Sequence, residues 1–329
     1  MKKKIALVSG GAGFIGSHMV DLLLKKNFQV RVIDNLSTGT AKNLLHIKDK
    51  LNFKFKKIDI VKLKKTDQIF KNVDYVYHFA GIADLVPSIE DPDKYIQTNL
   101  NGTINVLQAS RFHNVKKFVY AASASCYGMN NSKVKESDEI KLEHPYSLSK
   151  YLGEKAVFHW SKVYKLNANS IRIFNAYGPR SRTSGAYGAV IGVFLKQKLS
   201  NKPFTVVGNG NQSRDFIHVK DVVNAFLLAS TSKKNNNSYN VASSNPQKIN
   251  YLVKLIGGKK VHIPRRPGEA YRSWADITKI KKDLGWKPTI SFNDGIKDLL
   301  KQINNWKSAP LWDKKSIKKA TKTWFKFLK

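Results

Sequence analysis

The stretch Ile5-Ala6-Leu7-Val8-Ser9-Gly10-Gly11-Ala12-Gly13-Phe14-Ile15-Gly16 decides the fold. An uncharged run of five residues reads as a buried strand. Three glycines then interrupt it, after which Ile15, Met19, Leu22 and Leu23 recur at helical spacing. A strand that passes through a glycine turn into a helix opens a parallel βαβ unit. Within the turn, Gly11 to Gly16 fits G-x-G-x-x-G, and Gly10 adds a G-x-x-G-x-x-G reading. The first glycines permit a tight turn and let the backbone approach a pyrophosphate at the helix N-terminus. The last lets helix and strand pack closely. Asp34 ends the next apolar run, roughly 20 residues on, where a carboxylate bonds both ribose hydroxyls. It would repel a 2′-phosphate, so the expected cofactor is NAD rather than NADP. Gly10, Gly13, Phe14, Ile15, Gly16, Asp34 and Asn35 are candidate cofactor contacts.

Outward from this unit, short apolar runs alternate with helical patterns, the sign of a parallel α/β sheet. Strands are expected at 29–34, 53–58, 75–80, 117–122 and 169–174, with long helices at 94–112 and 146–164. Asp59 and Ile60, after the third strand, could meet an adenine edge, though Asp59 also reads as an ordinary strand-end residue. Phe79, Ala80 and Gly81 follow the fourth strand where a cofactor backbone would pass. The pattern changes after residue 174. Residues 177–188 read as a loop over a site, helices are expected at 189–199, 221–229, 277–284 and 292–306, and 235–238 reads as a polar loop. The expected architecture is a doubly wound α/β cofactor domain over 1–174, to which parts of 215–242 return, and a smaller mixed α/β substrate domain over 175–329.

Composition limits the function classes. The chain has 329 residues and is 42% hydrophobic, enough for a substantial core. One cysteine, Cys126, excludes an intramolecular disulfide and a thiolate metal cluster, and the eight histidines show no metal-ligand spacing. No stretch approaches the ~20 apolar residues of a membrane span, and the N-terminal apolar run is too short for a signal core. A cytoplasmic protein is expected. The net charge of +35 suggests nucleic-acid binding, but the lysines are scattered and accompanied by Asn-rich runs, which fits a biased composition better. In the tail, Trp312, Ile317, Ala320, Trp324 and Leu328 recur at near-helical spacing among seven lysines. That stripe suits docking on this protein or a sister subunit more than a membrane surface.

Tyr146 and Lys150 stand one helical turn apart, so the ammonium can lie beside the phenol. A nearby cation favours the phenolate, and the Tyr146 pKa is expected to fall from about 10 toward neutrality. Tyr146 is thus a candidate acid/base.

Gly10 to Gly16, Asp34, His78-Phe79-Ala80-Gly81, Ser123-Ala124-Ser125-Cys126-Tyr127-Gly128, Tyr146-x-x-x-Lys150 and Arg172-Ile-Phe-Asn-Ala-Tyr-Gly-Pro179 occur in this order. Together they resemble the extended short-chain dehydrogenase/reductases of the nucleotide-sugar epimerase/dehydratase group, and UDP-hexose 4-epimerases in particular, from Ile5 to about Trp306. The resemblance implies that Ser123 bonds the sugar O4, Tyr146 is the base, and Lys150 holds the nicotinamide ribose. It further implies that Ser125 borders the substrate, that Asn175, Arg214 and Arg266 bind the diphosphate, and that Glu269 contacts the uridine ribose. Ala124 and Ser125 stand where the group's dehydratases and decarboxylases carry an acid, which favours 4-epimerisation of a UDP-hexose or UDP-N-acetylhexosamine through a 4-keto sugar. Ser273 is expected beside the C2 substituent, its small side chain leaving space for an N-acetyl group. Arg180 and Arg182 keep a uronate epimerase open. Dehydratase or reductase chemistry and an RNA-binding protein of the same fold are the other readings. The resemblance also implies a role in polysaccharide biosynthesis and a homodimer through a four-helix bundle. His78 and His218 read as structural, and His144-Pro145 is an unusual lead-in to Tyr146.

Overall fold

The computed structural model describes residues 3–181, 190–265 and 269–328. Seven parallel strands form the central sheet: β1 (Ile5–Ser9), β2 (Gln29–Asp34), β3 (Phe53–Lys57), β4 (Tyr75–His78), β5 (Lys117–Ser123), β6 (Ala168–Ile173) and, later in the chain, β11 (Asn237–Val241). Their order is β11-β6-β5-β4-β1-β2-β3, and each neighbouring pair is parallel. The order reverses between β1 and β4, and ligands of such sheets bind beyond the carboxyl ends of the strands at that point.

Both faces of the sheet centre are covered, so β1 is apolar and buried along its length, whereas the edge strand β3, with three lysines, is half-exposed. On one face, Ala6 and Val8 of β1 pack with Met19 and Leu23 of α1 (Phe14–Lys25). On the other, Leu7 packs with Val106 and Leu107 of α4 (Gly102–Phe112) and Val157 of α5 (Pro145–Tyr164). Each fully buried Leu, Val or Phe contributes roughly 1.5–3 kcal/mol. Between β4 and α4 lie α2 (Leu85–Glu90), α3 (Pro92–Ile96) and a π-type turn over Gln97–Asn101. The long helix expected at 94–112 is present as a continuous helical run over 92–112 that widens into a π-type turn at Gln97–Asn101. The Thr103 hydroxyl donates to the Asn99 carbonyl at 2.7 Å, and the Asn99 side chain leaves to bond Ile82.

The second half is built from smaller pieces. In chain order these are β7 (Asn175–Tyr177), α6 (Val190–Leu199), β8 (Phe204–Val207), β9 (Ser213–Arg214), β10 (Phe216–His218), α7 (Val219–Thr231), β12 (Gln247–Lys248), α8 (Ile249–Ile256), β13 (Lys260–Ile263), α9 (Thr278–Leu284) and α10 (Phe292–Lys301). Helix α7 packs on the sheet through Val222 and Phe226. A separate core joins Phe194, Phe204, Leu252, Ile256, Leu299 and Trp306. The short strands pair two by two, β10 with β7, β12 with β9 and β13 with β8. The polar loop expected at 235–238 overlaps the start of β11, whose Tyr239 is fully buried. The basic tail folds as two short helices, α11 (Lys314–Ala320) and α12 (Lys322–Phe327). Most of the loop expected at 177–188, with Arg182, and also Arg266 lie outside the described residues.

Candidate active site

A cleft of about 510 Å³ runs between the two halves. At one end the glycine turn meets β4. Gly10 has φ +71, and a Cβ there would meet the Ala80 amide nitrogen at 2.5 Å. A Cβ on Gly16 would run into the Gly10 carbonyl, so the start of α1 rests directly on the turn. At Gly13 a Cβ would approach just the Gly10 carbonyl, at 3.1 Å. Gly13 caps α1 with no side-chain hydrogen bond, and the first turn carries no acid. The leading N–H groups of α1 are left for an anion. Phe14, Ile15, Asp34, Asn35, Ile60, Phe79, Ala80 and Gly81 line the same end. The Asp34 carboxylate accepts from the Ala12 and Leu36 amides at 3.0 and 2.8 Å. Burial nevertheless raises its pKa. A dinucleotide fits this set: open backbone at Gly13, uncapped amides, and a carboxylate at the end of β2. Asp59 does not line the cleft. It caps a 3-10 turn through Val61 at 2.9 Å and accepts at 3.3 Å from Asn35, which lines the cleft.

The middle of the cleft holds Ser123, Tyr146 and Lys150. Ser123 ends β5, and its hydroxyl accepts from the Ser125 amide at 3.2 Å. Helix α5 supplies the other two, and its start is well defined. His144 is the N-cap, Pro145 occupies the first turn, and Ser147 completes a capping box with His144 Nδ1 at 3.1 Å. Burial holds His144 down at about 4, which keeps that nitrogen an acceptor. Its ring also stacks on Tyr146, with centroids 5.9 Å apart and planes 3° from parallel. The unusual lead-in is thus a helix cap.

The pKa expected for Tyr146 is overturned. Burial pushes the phenol up, a hydrogen bond with Ser123 pulls it back in part, and the Asp84 carboxylate pushes it further up. Lys150 does not offset this. Its ammonium lies over the Tyr120 ring, 4.4 Å from the centroid. Burial lowers Lys150 to about 7, against the pull of Glu154 one turn along α5. Desolvation outweighs the expected charge effect: Lys150 is buried, and Tyr146 is half-buried in the cleft wall.

Behind these residues, Glu154 and Arg172 form a buried ion pair at 2.7 Å. Glu154 also accepts from the Ser170 hydroxyl at 2.7 Å, and Arg172 donates to the Tyr127 hydroxyl at 2.8 Å. The network ties α5 to β6. Asn99, fully buried, donates to the Ile82 carbonyl and Ser149 hydroxyl at 3.0 Å each and holds the loop after Gly81 to α5.

Sequence reasoning missed two of these residues, Asp84 and Asn99. Asp84 lines the cleft close enough to act on Tyr146, so an acid reaches the site from a different loop than the one after Ser123. Ser125 does not line the cleft, and its buried hydroxyl has no hydrogen-bond partner among the described residues.

At the far end, Asn175, Gln212, Arg214 and Glu269 line the wall. Arg214 donates to Glu269 at 2.5 Å, so the two lining residues are held as an ion pair. Ser273 donates its amide to the Ser213 carbonyl at 3.0 Å, next to Arg214 of the cleft wall. Arg180 is paired with Asp21 on α1 at 2.8 Å. His78, bonded to Ser9 and Thr103 at 2.5 and 2.9 Å, and His218, which caps α7, are structural. Cys126 is buried and its thiol is pushed up to about 12. Among the described residues no cluster of three ligands could hold a metal, and no helix is long and apolar enough to cross a membrane.

The family model described as GDP-mannose 4,6 dehydratase matches residues 7–299. A putative UDP-glucose 4-epimerase of Methanocaldococcus jannaschii is 36% identical over 91% of this chain and 98% of its own length. A solved UDP-N-acetylglucosamine 4-epimerase of Methanobrevibacter ruminantium M1, in complex with UDP-N-acetylmuramic acid, is 33% identical with a TM-score of 0.87, over 92% of this chain and 98% of that one. A UDP-glucuronic acid 4-epimerase of Bacillus cereus, in complex with UDP-glucuronic acid and NAD, is 30% identical with a TM-score of 0.83, over 91% and 99%. The stretch after residue 299 lies beyond the family match.

Proposed function

Because the chain belongs to the extended short-chain dehydrogenase/reductase family of nucleotide-sugar epimerases and dehydratases, we propose that it is an NAD-dependent 4-epimerase of a UDP-hexose or UDP-N-acetylhexosamine. The observation that carries this is the sharing of one cleft by Ser123, Tyr146 and Lys150, with the glycine turn and Asp34 at one end and Asn175, Arg214 and Glu269 at the other.

NAD bound in its oxidised form supplies a hydride acceptor for the sugar C4 and a positive charge on its ring. Gly10, Gly13 to Gly16, Asp34, Asn35, Ile60 and Phe79 to Gly81 would hold it, with Tyr146 and Lys150 at its reactive end. Tyr146 takes the proton from the 4-hydroxyl, and Ser123 bonds the same oxygen. Because the phenol is held high by burial, the site stays protonated and idle until a nearby positive charge lowers it. Lys150, lowered to about 7 by burial, can hold or release a proton near the reactive end at neutral pH. Tyr146 returns the proton to O4 once the keto sugar has presented its other face, so one acid/base group serves both directions. Asn175 and Arg214 anchor the diphosphate during that turn, the guanidinium being suited to bidentate phosphate contact.

Asp84 on the cleft wall favours a second reading, dehydration or decarboxylation, in which a carboxylate works at C5. The test is incubation with a panel of UDP-sugars followed by NMR. Inversion at C4 that is lost in Tyr146→Phe supports the epimerase; an ultraviolet-absorbing keto product supports the second reading. The proposal includes a homodimer formed by α4 and α5 in the cytoplasm. The outward exposure of Phe112, Leu148, Val163 and Tyr164 supports the dimer.

A further inference from the structure

The chain beyond the family match does not trail into solvent. It crosses the cleft from one half of the molecule to the other. On the substrate side, the Trp312 carbonyl accepts from Gln197 of α6 at 2.7 Å. Helix α11 then brings Ile317, 6% exposed, onto the cleft wall. The chain turns at the buried Thr321, and α12 packs on α2. There the Thr323 hydroxyl donates to Glu90 at 2.8 Å, and Trp324 is 4% exposed. Helix α2 begins directly after Asp84 of the cleft wall. The apolar stripe therefore faces inward and the lysines outward, as an amphipathic docking segment requires.

We propose that this C-terminal segment is a substrate-contacting wall of the cleft, and that Ile317 is a specificity-determining residue for the bound nucleotide sugar. The proposal rests on the reading of the cleft as a nucleotide-sugar site. The family match ends at residue 299, so the segment lies outside the part of the chain that the family model describes. A buried apolar contact of this size discriminates substrates by about tenfold or more.

The test uses the full-length, NAD-loaded protein. First, trypsin cleavage within 314–326 is timed with and without UDP-glucose, a readout that needs neither turnover nor a variant. The proposal expects bound UDP-glucose to slow that cleavage relative to cleavage elsewhere in the chain. Second, Ile317→Ala and Trp324→Ala are compared with wild type, folding being checked by thermal unfolding. Ile317→Ala should raise the KM for UDP-glucose about tenfold, lower kcat far less, and change the ratio of kcat/KM between UDP-glucose and UDP-N-acetylglucosamine. Trp324→Ala, which frees α12 from α2, should raise KM in the same direction. Equal cleavage with and without UDP-glucose, or variants with the KM and substrate ratio of wild type, overturns the proposal. Protection without turnover would sink the epimerase reading and leave the wall standing. Absence of any UDP-glucose binding sinks both.

Discussion

At the scale of single residues, Tyr146 is governed by burial before charge. Removing the Asp84 carboxylate removes one of the influences that raise its pKa. Asp84→Asn should therefore move the acid limb of the kcat/KM profile to lower pH, because the phenolate forms sooner; an unchanged or upward-shifted limb would contradict this. Tyr146→Phe should lower kcat by about 10²–10⁴-fold, the usual contribution of a positioned acid/base. Lys150 carries a stability cost of known sign. Its folded pKa, about 7, lies below the lysine value of 10.5. Below 7 the group is protonated in both states and the cost is full; between 7 and 10.5 the unfolded chain binds more protons, so stability rises with pH. Lys150→Met should accordingly raise the Tm of the cofactor-free protein at pH 6, with the gain shrinking toward pH 10. The identities of Tyr146, Lys150 and the glycine turn were legible because their spacing alone sets their geometry. Asp84 was not, since nothing local in Ala83-Asp84-Leu85 announces a cleft that the tertiary fold creates. Nor was the direction of the Tyr146 shift, which depends on how much water the fold excludes.

At the scale of elements, legibility followed apolar content and length. Strands β1, β2, β4, β5 and β6 announced themselves as largely buried runs, and β3 by the alternation of Phe53 and Phe55 with lysines. Strands β7, β9, β10 and β12 are two or three residues long and held by their neighbours, so no periodicity could form. Strand β11 was misread because it begins in an Asn-rich run, although Tyr239 and Val241 are fully buried. Helix α8 did carry a signal, the stripe of Ile249, Leu252, Val253 and Ile256, which the reading passed over. Helix α5 depends on its two anchors. His144→Ala removes the cap and should cost about 1 kcal/mol, with His144→Ser restoring most of it. Glu154→Ala leaves Arg172 buried without its partner and should cost about 3–5 kcal/mol in chemical denaturation, far more than the cap. Similar losses for both would contradict the assignment of the ion pair as the principal tie between α5 and β6.

At the scale of the whole molecule, two halves with separate cores meet at one cleft, and the tail crosses it. Three histidines, His78 and His218 buried and His144 half-buried, are held neutral, His78 at about 3 and His144 and His218 at about 4. Each lies below the free value of about 6.5, so the unfolded chain binds more protons between pH 6.5 and 4. Stability should fall through that window as pH drops, with proton uptake on unfolding measurable by calorimetry in buffers of different ionisation enthalpy. The most direct test of the central claim is epimerisation of UDP-glucose in deuterium oxide, followed by proton NMR. If Tyr146 moves just the hydroxyl proton while the C4 hydrogen leaves and returns as hydride, the galacto product retains a full proton signal at C4 and at C5. Deuterium at either carbon, or no inversion at C4, would contradict it.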